Sequence, residues 1–167
     1  MAHDNPADLP GISPKQFWPA LAGRSCGVAV VTTQALGQRA GFLALSVTHF
    51  TADPPTLMLS VGASTSALPL IQASGVLAVN YLAQDQSEIA EIFGGKRDLR
   101  GDDRFSVGEW GQLKTGAPVL RQAVASLDCV VAEMIERFGT MLVLARLVDF
   151  SDSGRGDPLT FFRGSYR

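Results

Sequence analysis

The chain has 167 residues, of which 46% are hydrophobic and 18% are charged, and its formal net charge is −2 at neutral pH. This composition is typical of one compact soluble domain with a sizeable core, and the apolar share favours a buried interface in an oligomer. Because there is no basic block, nucleic acid is not an expected partner. No apolar run approaches the ~20 residues that a membrane-spanning helix needs, so no membrane association is expected.

The cysteines and the first residues bear on compartment and chemistry. Cys26 and Cys129 form neither a C-x-x-C pair nor a metal-ligand spacing, and the start lacks the charged-then-apolar pattern of a secretory signal. We therefore expect two reduced core cysteines in a cytoplasmic protein. The sequence carries no G-x-S-x-G, H-E-x-x-H, Walker or G-x-G-x-x-G motif, so neither a catalytic side chain nor a metal site is predicted.

The N-terminal segment divides into an arm and a helix. Residues 1–12 are polar and contain prolines, which predicts a flexible arm before a single domain that spans residues 13–167. Ser13-Pro14-Lys15-Gln16 is typical of a capping box with proline at the first helical position. The short helix that it predicts carries Phe17 and Leu21 on one face.

A strand and a hairpin loop precede the most informative part of the chain. The β-branched run from Val28 to Thr33 predicts a strand, and Gly37 lies in the loop that follows. The segment Gly41–Ser66 begins as an apolar stretch that is interrupted by hydroxyl side chains. These hydroxyls belong to Ser46, Thr48 and Thr51.

The second half of this segment combines a turn, a strand and a polar cluster. Asp53-Pro54-Pro55 predicts a turn, Thr56 to Val61 predicts a strand, and Ser64-Thr65-Ser66 precedes a predicted helix from Ala67 to Ala73. Free N–H groups at a helix start, together with hydroxyls, can bind an anion. Such hydroxyls are equally typical of helix caps and of bonds to neighbouring backbone. The order of these features favours a site for a flat apolar ligand that carries a phosphate.

A strand, a helix and a charged loop come next. Val76 to Leu82 predicts a strand in which Asn80 is expected to bond backbone groups. A helix is predicted to begin after Asp85, and residues 96–116 predict a charged, glycine-rich surface loop. The helix places three apolar side chains on one face, which are Ile89, Ile92 and Phe93.

The last third of the chain predicts a long hairpin. Ser126–Glu136 and Met141–Val148 read as strands around a turn at Phe138-Gly139-Thr140, and Leu159–Phe162 predicts a final strand. Strand alternation places one set of residues on a common face, namely Leu127, Cys129, Val131 and Ile135. Many short strands with few helices predict a mainly β fold, a closed antiparallel barrel with short peripheral helices.

The segment that begins at Gly41 resembles the signature of the short-chain flavin reductases, the flavin reductase-like family with an FMN-binding split barrel. The family pattern is roughly Gly-(Met/Leu)-Thr-Ala-x-Ser-x-x-Ser-x-Ser-x-x-Pro-Pro. It is matched, directly or conservatively, at Ala44, Ser46, Thr51, Pro54 and Pro55, whereas Leu43 and His49 depart from it. The resemblance extends from Phe17 to Tyr166. Its further matches are Gly27–Thr32, Val79-Asn80, Asp103-Arg104-Phe105, Gly116–Leu120 leading into a short helix, and Gly164-Ser165-Tyr166.

The resemblance implies a homodimeric split barrel that reduces FMN or FAD with NADH or NADPH. It further implies that the reduced flavin passes to a partner monooxygenase. Two alternatives stay open at this point. One is a flavoprotein reductase of another acceptor, such as a cobalt corrin, and the other is a flavin-binding protein without reductase turnover.

The resemblance also implies a set of cofactor-binding residues. The flavin ring is expected against residues 43–46, and the phosphate is expected on the hydroxyl cluster at 64–66 together with Thr48 or Thr51. Phe93 is either a core residue or a wall of the pocket. The full expected set is Leu43, Ala44, Leu45, Ser46, Thr48, Thr51, Ser60, Val61, Ser64, Thr65, Ser66, Phe93 and Met141.

Two positions bear on the nicotinamide. Many flavin reductases carry a histidine after Gly-Thr or Gly-Asp in the turn that Gly139-Thr140 occupies here, whereas this chain has Met141. A thioether donates no hydrogen bond, so Met141 either packs against a ring or faces the barrel core. His49 could take a polar role in place of that histidine or be structural. The nicotinamide phosphates could meet cations of the charged loop, which are Lys96, Arg97 and Arg100.

Overall fold

The computed structural model of the protein describes residues 9–167, so most of the predicted N-terminal arm lies outside the described residues. Residues 9–12 are exposed and precede the first helix. The helices are α1 (Pro14–Leu21), α2 (Leu68–Ser74) and α3 (Ser87–Phe93), and a 3₁₀ turn spans Gly101–Ser106. The strands are β1 (Cys26–Gly27), β2 (Ala29–Ala35), β3 (Gln38–Ala44), β4 (Thr48–Ala52), β5 (Pro55–Gly62), β6 (Val76–Tyr81), β7 (Trp110–Gln112), β8 (Pro118–Leu120), β9 (Ala125–Arg137), β10 (Thr140–Asp152), β11 (Thr160–Phe162) and β12 (Ser165–Tyr166).

One antiparallel sheet of seven strands dominates the described residues, in the order β3-β2-β6-β9-β10-β5-β4. Two small sheets, β1-β11-β12 and β7-β8, flank it. The mainly β fold with short peripheral helices is thereby confirmed. Among the described strands β3 and β4 end the pairing order and are not partners, so the closed form of the barrel stays a prediction.

The short link between β3 and β4 shows that the sheet is strongly curved. These strands lie at opposite edges, yet residues 45–47 alone connect them. Four Cα–Cα steps, from Ala44 to Thr48, reach at most about 14 Å. Six strand spacings of a flat sheet would separate the edges by about 29 Å. The sheet must therefore curl until its two edges approach each other.

Strand β2 is buried on both faces, which explains its continuous apolar sequence. Ala29 and Val31 belong to a first core cluster with Leu59, Val61 and residues of β6, β9 and β10. Val28 and Val30 belong to a second core cluster that includes α3 and Phe105. A strand that is packed on both faces lies between two layers. Its sequence therefore lacks the alternation of apolar and polar residues that is typical of a half-exposed strand.

A bulge changes one prediction for β9. Val131 pairs with Ala145 and Glu133 pairs with Leu144, so the residue between them is extra. Leu127, Cys129 and Val131 contact the first core cluster as predicted. Beyond the bulge Met134 takes the inward position, so the prediction that Ile135 shares this face was wrong. The single extra residue resets the alternation of the strand.

Two local expectations near helices are also corrected. The residues after Leu120 form a turn that leads to β9 rather than a short helix. Helix α2 begins one residue later than predicted, and its N-cap is Ala67 with no side-chain cap bond. Among residues 9–167, the helices fall short of the length and apolarity that crossing a bilayer requires.

Candidate functional site

The end of β3 and the link after it hold the first group of predicted cofactor residues. Ala44 is buried in the first core cluster, whereas Leu43 and Leu45 are half-buried and pack against the second. This alternation is that of a strand whose side chains meet both cores. The backbone of this segment is thereby fixed from two sides.

The hydroxyl of Ser46 ties the link to β5. Its Oγ accepts a hydrogen bond from the backbone N–H of Ser60 at 3.3 Å and lies 3.4 Å from the Ser60 carbonyl oxygen, to which it donates. Ser60 itself is exposed on the outer face of the curved sheet. Two predicted site residues, fourteen apart in sequence, are thus brought into contact.

The threonines of β4 differ in what they can offer a ligand. Thr48 is exposed and lies opposite Met58 in the pairing with β5. The Thr51 hydroxyl is 3.2 Å from the Asp53 carbonyl and 3.3 Å from the Asp53 N–H. Thr51 therefore stabilises its own turn, and Thr48 is the better placed of the two for a phosphate. His49 is exposed on the same strand, opposite Leu57.

The turn at 64–66 exposes a cluster of hydroxyls beside the long hairpin. Ser64 and Ser66 are exposed and Thr65 is half-buried, whereas Val61 before them is fully buried. The N–H of Ala63 donates to the carbonyl of Gly139 at 3.1 Å. Because α2 begins after Ala67, these hydroxyls are not spent on capping that helix and are available to a ligand.

Met141 lies at the same end of the molecule but points inward. It pairs directly with Val61 across β5 and with Glu136 across β9. Its side chain is half-buried against the first core cluster, which contains Val61. This geometry supports the packing alternative for Met141.

Phe93 is a core residue beneath β3. It is 3% exposed and meets Phe105 and Trp110 at ring-centroid distances of 5.2 and 5.6 Å. We call these three residues the aromatic cluster. An added Cβ at Gly41 would stand 2.7 Å from a carbon of the Phe93 ring, so only glycine fits there. The structure thus supports the core alternative for Phe93, as a base on which β3 rests.

The cations of the charged loop are largely engaged. Arg97 pairs with Glu91 at 2.8 Å, and the ammonium of Lys96 stands 5.1 Å from the centre of the Tyr166 ring. Arg100 is exposed, 3.8 Å from Asp98. Arg104 donates to the carbonyls of Gly41 at 3.3 Å and Leu99 at 3.0 Å, and so holds the middle of β3. The loop surrounds an open cavity of about 400 Å³.

Sequence reasoning missed a groove between α1 and the C-terminal strands, which we call the α1 groove. Its volume is about 470 Å³, and Trp18, Leu45 and Phe161 form apolar walls with Arg24 and Arg163 among the lining residues. These residues come from three distant segments, so no spacing in the sequence brings them together. A signal was nonetheless present, because Trp18 is a large apolar residue next to the predicted inner face of α1.

The polar groups of the core are satisfied and serve structure. Asn80 donates to the Val30 carbonyl at 3.0 Å and accepts from the N–H of Leu120 and the hydroxyl of Ser126 at 2.8 Å each. This agrees with the expected backbone-bonding role. Within residues 9–167, no group of three or more His, Cys, Asp or Glu side chains is arranged to hold a metal ion.

The sequence of the chain is similar to those of known proteins. The family model described as "Flavin reductase like domain" matches residues 23–167. The chain is 34% identical over 160 residues to a protein of Ancylobacter novellus named FMN reductase (NADH) RutF, covering 96% of this chain and 87% of that protein.

Solved structures agree with the family match. A crystal structure of a putative flavin reductase from Haemophilus somnus superposes with a TM-score of 0.89 at 29% identity, covering 93% of this chain and 99% of that one. A homologue of nitrilotriacetate monooxygenase component B from Mycobacterium thermoresistibile gives a TM-score of 0.84 at 26% identity. That match covers 92% of this chain and 84% of the other.

Proposed function

Because the chain belongs to the flavin reductase-like domain family, we propose that it is an NAD(P)H-dependent flavin reductase that supplies reduced FMN or FAD to a partner monooxygenase. The observation that carries this proposal is the contact between Ser46 and Ser60. It sets the link after β3 beside β5, and β5 runs on to the exposed hydroxyls at 64–66 within a few residues. An apolar platform beside Ser60 and a hydroxyl turn just beyond the end of the same strand suit an FMN ring and its phosphate.

The side chains at these positions also suit FMN chemically. Leu43 and Leu45 offer apolar surface, and Ser64, Thr65 and Ser66 offer hydroxyls for a phosphate. Thr48, exposed on the neighbouring strand, completes the phosphate end. Bound flavin would supply the acceptor for a hydride from the reduced nicotinamide, so these residues would need to bind and align two rings rather than supply a nucleophile.

We also propose that the protein is a homodimer. The outer face of β5 and β10 carries Met58, Leu142 and Leu144, which are only half-buried in one chain. Phe50 on the neighbouring strand β4 is 54% exposed. A second copy related by a two-fold axis would cover this face and create two equivalent sites. Sedimentation that shows only a monomer of about 18 kDa with flavin bound would contradict the dimer.

The decisive experiment combines a spectrum with a rate. The purified protein is mixed with FMN, and NADH is added without oxygen while flavin absorbance is followed. We expect catalytic bleaching of the flavin band together with NADH oxidation. Tight flavin binding without turnover would instead support a flavin-binding protein, an alternative that the missing histidine at position 141 favours.

A matched set of variants tests the phosphate end. Replacing Ser64, Thr65 and Ser66 together with alanine should weaken FMN binding at least tenfold, because hydrogen bonds to a charged phosphate are among the stronger ones. The thermal melt should stay unchanged, since these side chains are at the surface. The control is the pair Ser87→Ala and Ser153→Ala, two exposed serines elsewhere. Equal FMN affinity in both sets would remove the 64–66 turn from the site.

A further inference from the structure

Two guanidinium groups join β3 to the 3₁₀ turn of the charged loop, and they reach across in opposite directions. Arg39 of β3 binds both carboxylate oxygens of Asp102 in the turn, at 2.6 and 2.7 Å. Arg104 of the turn donates through Nη1 to the Gly41 carbonyl of β3 at 3.3 Å and through Nε to the Leu99 carbonyl at 3.0 Å. The turn is therefore attached to β3 at two positions that lie two residues apart along the strand.

The two attachments differ in environment. The Asp102 side chain is 62% exposed, so water competes for the bonds that Arg39 makes. Arg104 is half-buried, and none of the salt bridges found within residues 9–167 includes it. Removing a charge from water without a carboxylate partner is unfavourable, so a neutral donor would bond one carbonyl at a lower cost. A guanidinium differs from such a donor in reaching two carbonyls at once, because its N–H groups diverge in a plane.

The carbonyl that Arg104 binds lies where β3 has few other constraints. Among the described strands β3 ends the pairing order, so a strand neighbour supplies hydrogen bonds on one side only. The Phe93 ring packs against Gly41 so closely that a Cβ there would stand 2.7 Å from a ring carbon. The ring thus fixes how closely the strand approaches the aromatic cluster, and the Arg104 guanidinium fixes its carbonyl edge.

The predicted flavin platform begins two residues after this point. At about 3.3 Å per residue, Leu43 follows Gly41 by about 7 Å along the strand. Its Cδ2 lies 3.2 Å from where a Cβ on Gly94 would stand, and Gly94 is the C-cap of α3 from which the charged loop departs. A change in the position of β3 at Gly41 would therefore disturb the packing of Leu43 as well.

We propose that Arg104 is a positioning residue for flavin binding, which sets the backbone of β3 at Gly41 so that residues 43–46 meet the ring in one fixed position. This inference rests on the proposed flavin reductase function, because the flavin platform belongs to that proposal. Arg39 holds the same turn through an exposed ion pair and contributes less to this positioning.

Flavin titrations of paired variants test the role of Arg104. Arg104→Met keeps the aliphatic stem but removes the donors, and we expect it to raise the Kd for FMN about tenfold, since charge-assisted bonds are lost. Arg104→Lys keeps the charge and one donor direction, so it should restore part of the affinity. The matched control is Arg121→Met at an exposed arginine, which should leave the Kd unchanged. A lower melting temperature with a wild-type Kd for FMN in Arg104→Met would show a merely structural role and overturn the proposal.

Hydrogen exchange tests the positioning without any ligand. In the flavin-free protein, Arg104→Met should speed the exchange of amides in residues 40–46, whereas the amides of β6 should exchange at the wild-type rate. Exchange that stays unchanged in residues 40–46, or that rises equally in β6, overturns the proposal. If the wild-type protein fails to bind FMN, the proposed function fails, and this exchange measurement still decides whether Arg104 holds the segment in place.

Discussion

Strand β3 joins two regions with opposite environments. Near its middle, Gly41 presses against Phe93 so tightly that no side chain fits, and Arg104 bonds its carbonyl. At its end, Leu45 opens onto the α1 groove, where Trp18 is mostly exposed. The aromatic cluster thus packs against the middle of β3, whereas the end of β3 next to the α1 groove stays accessible. The end of β3 is predicted to present its backbone to a ligand. The tightly packed middle of the strand, at Gly41, helps to fix the position of this accessible end at Leu45.

The largest effect should come from removing the support. Phe93→Ala empties a site that is almost fully buried, and we expect a loss of about 3–5 kcal/mol in the free energy of unfolding. Urea denaturation measures this loss. The control is Phe138→Ala at the fully exposed hairpin tip, for which we expect a change within about 0.5 kcal/mol. Similar losses in both variants would show that the aromatic cluster does not carry the strand.

A substitution of Met141 tests whether the start of β10 packs in the first core cluster or contributes to the candidate site. Met141→His places a polar ring opposite Val61, against the first core cluster, and should cost about 1–3 kcal/mol of stability. We expect a lower melting temperature and an unchanged KM for NADH. A lower KM with an unchanged melt would instead assign Met141 to the nicotinamide site, as the resemblance to other family members implies for the histidine of this turn.

The reactivity of Cys129 reports on the core, and that of Cys26 reports on the α1 groove. Cys129 is fully buried, and burial, with a smaller effect of Asp128, raises the pKa of its thiol to about 12. At pH 8 its thiolate fraction is on the order of 10⁻⁴, so iodoacetamide should leave it unmodified. Cys26 was expected in the core, but it is half-exposed in the α1 groove and should be alkylated. Mass spectrometry after a timed reaction distinguishes them, and labelling of Cys129 at the same rate would mean that the core opens readily.

The smallest effect concerns the rim of the aromatic cluster. Arg39 bonds Asp102 at 2.6 and 2.7 Å and lies 4.6 Å from the centre of the Phe105 ring. These bonds hold the pKa of Asp102 below its usual value, so their contribution exists above the unfolded pKa and disappears as pH falls through the folded pKa.

Asp102→Asn removes that charge. At pH 7 we expect it to be slightly less stable than the wild type, because an exposed pair contributes little. At an acidic pH that has fallen through the lowered folded pKa of Asp102 the difference should vanish, since the wild-type carboxyl is then also neutral. Paired urea curves at the two pH values measure this, and a constant difference would argue against a charge effect.

Local patterns in the sequence were enough for most of the fold. Apolar runs and turn residues predicted β2, β5, β6 and the β9–β10 hairpin, because each depends on neighbouring residues. The bulge beside Val131 could not be predicted, since the alternation is broken by pairing with β10 rather than by a glycine or proline. The turn after Leu120 likewise depends on β8 pairing with β7.

The candidate site was predictable where its residues lie in one segment. The stretch from Leu43 to Ser66 was predicted to form the site because its motif is continuous. The walls of the α1 groove were not found, since Trp18, Leu45 and Phe161 meet only after β11 pairs with β1. Phe93 illustrates the same limit, because its role depends on how closely it approaches Gly41.

The three-residue link between β3 and β4 also affects how the chain can assemble. Strand β5 pairs with β10, a partner far away in the sequence, and closing so long a loop is entropically costly for a free chain. Once β2 and β3 have joined β6, the link confines the β4–β5 hairpin to a small volume near that edge. Its search for β10 then resembles that of a tethered segment with a high local concentration. We therefore expect residues 45–47 to shorten the conformational search that precedes the pairing of β5 with β10.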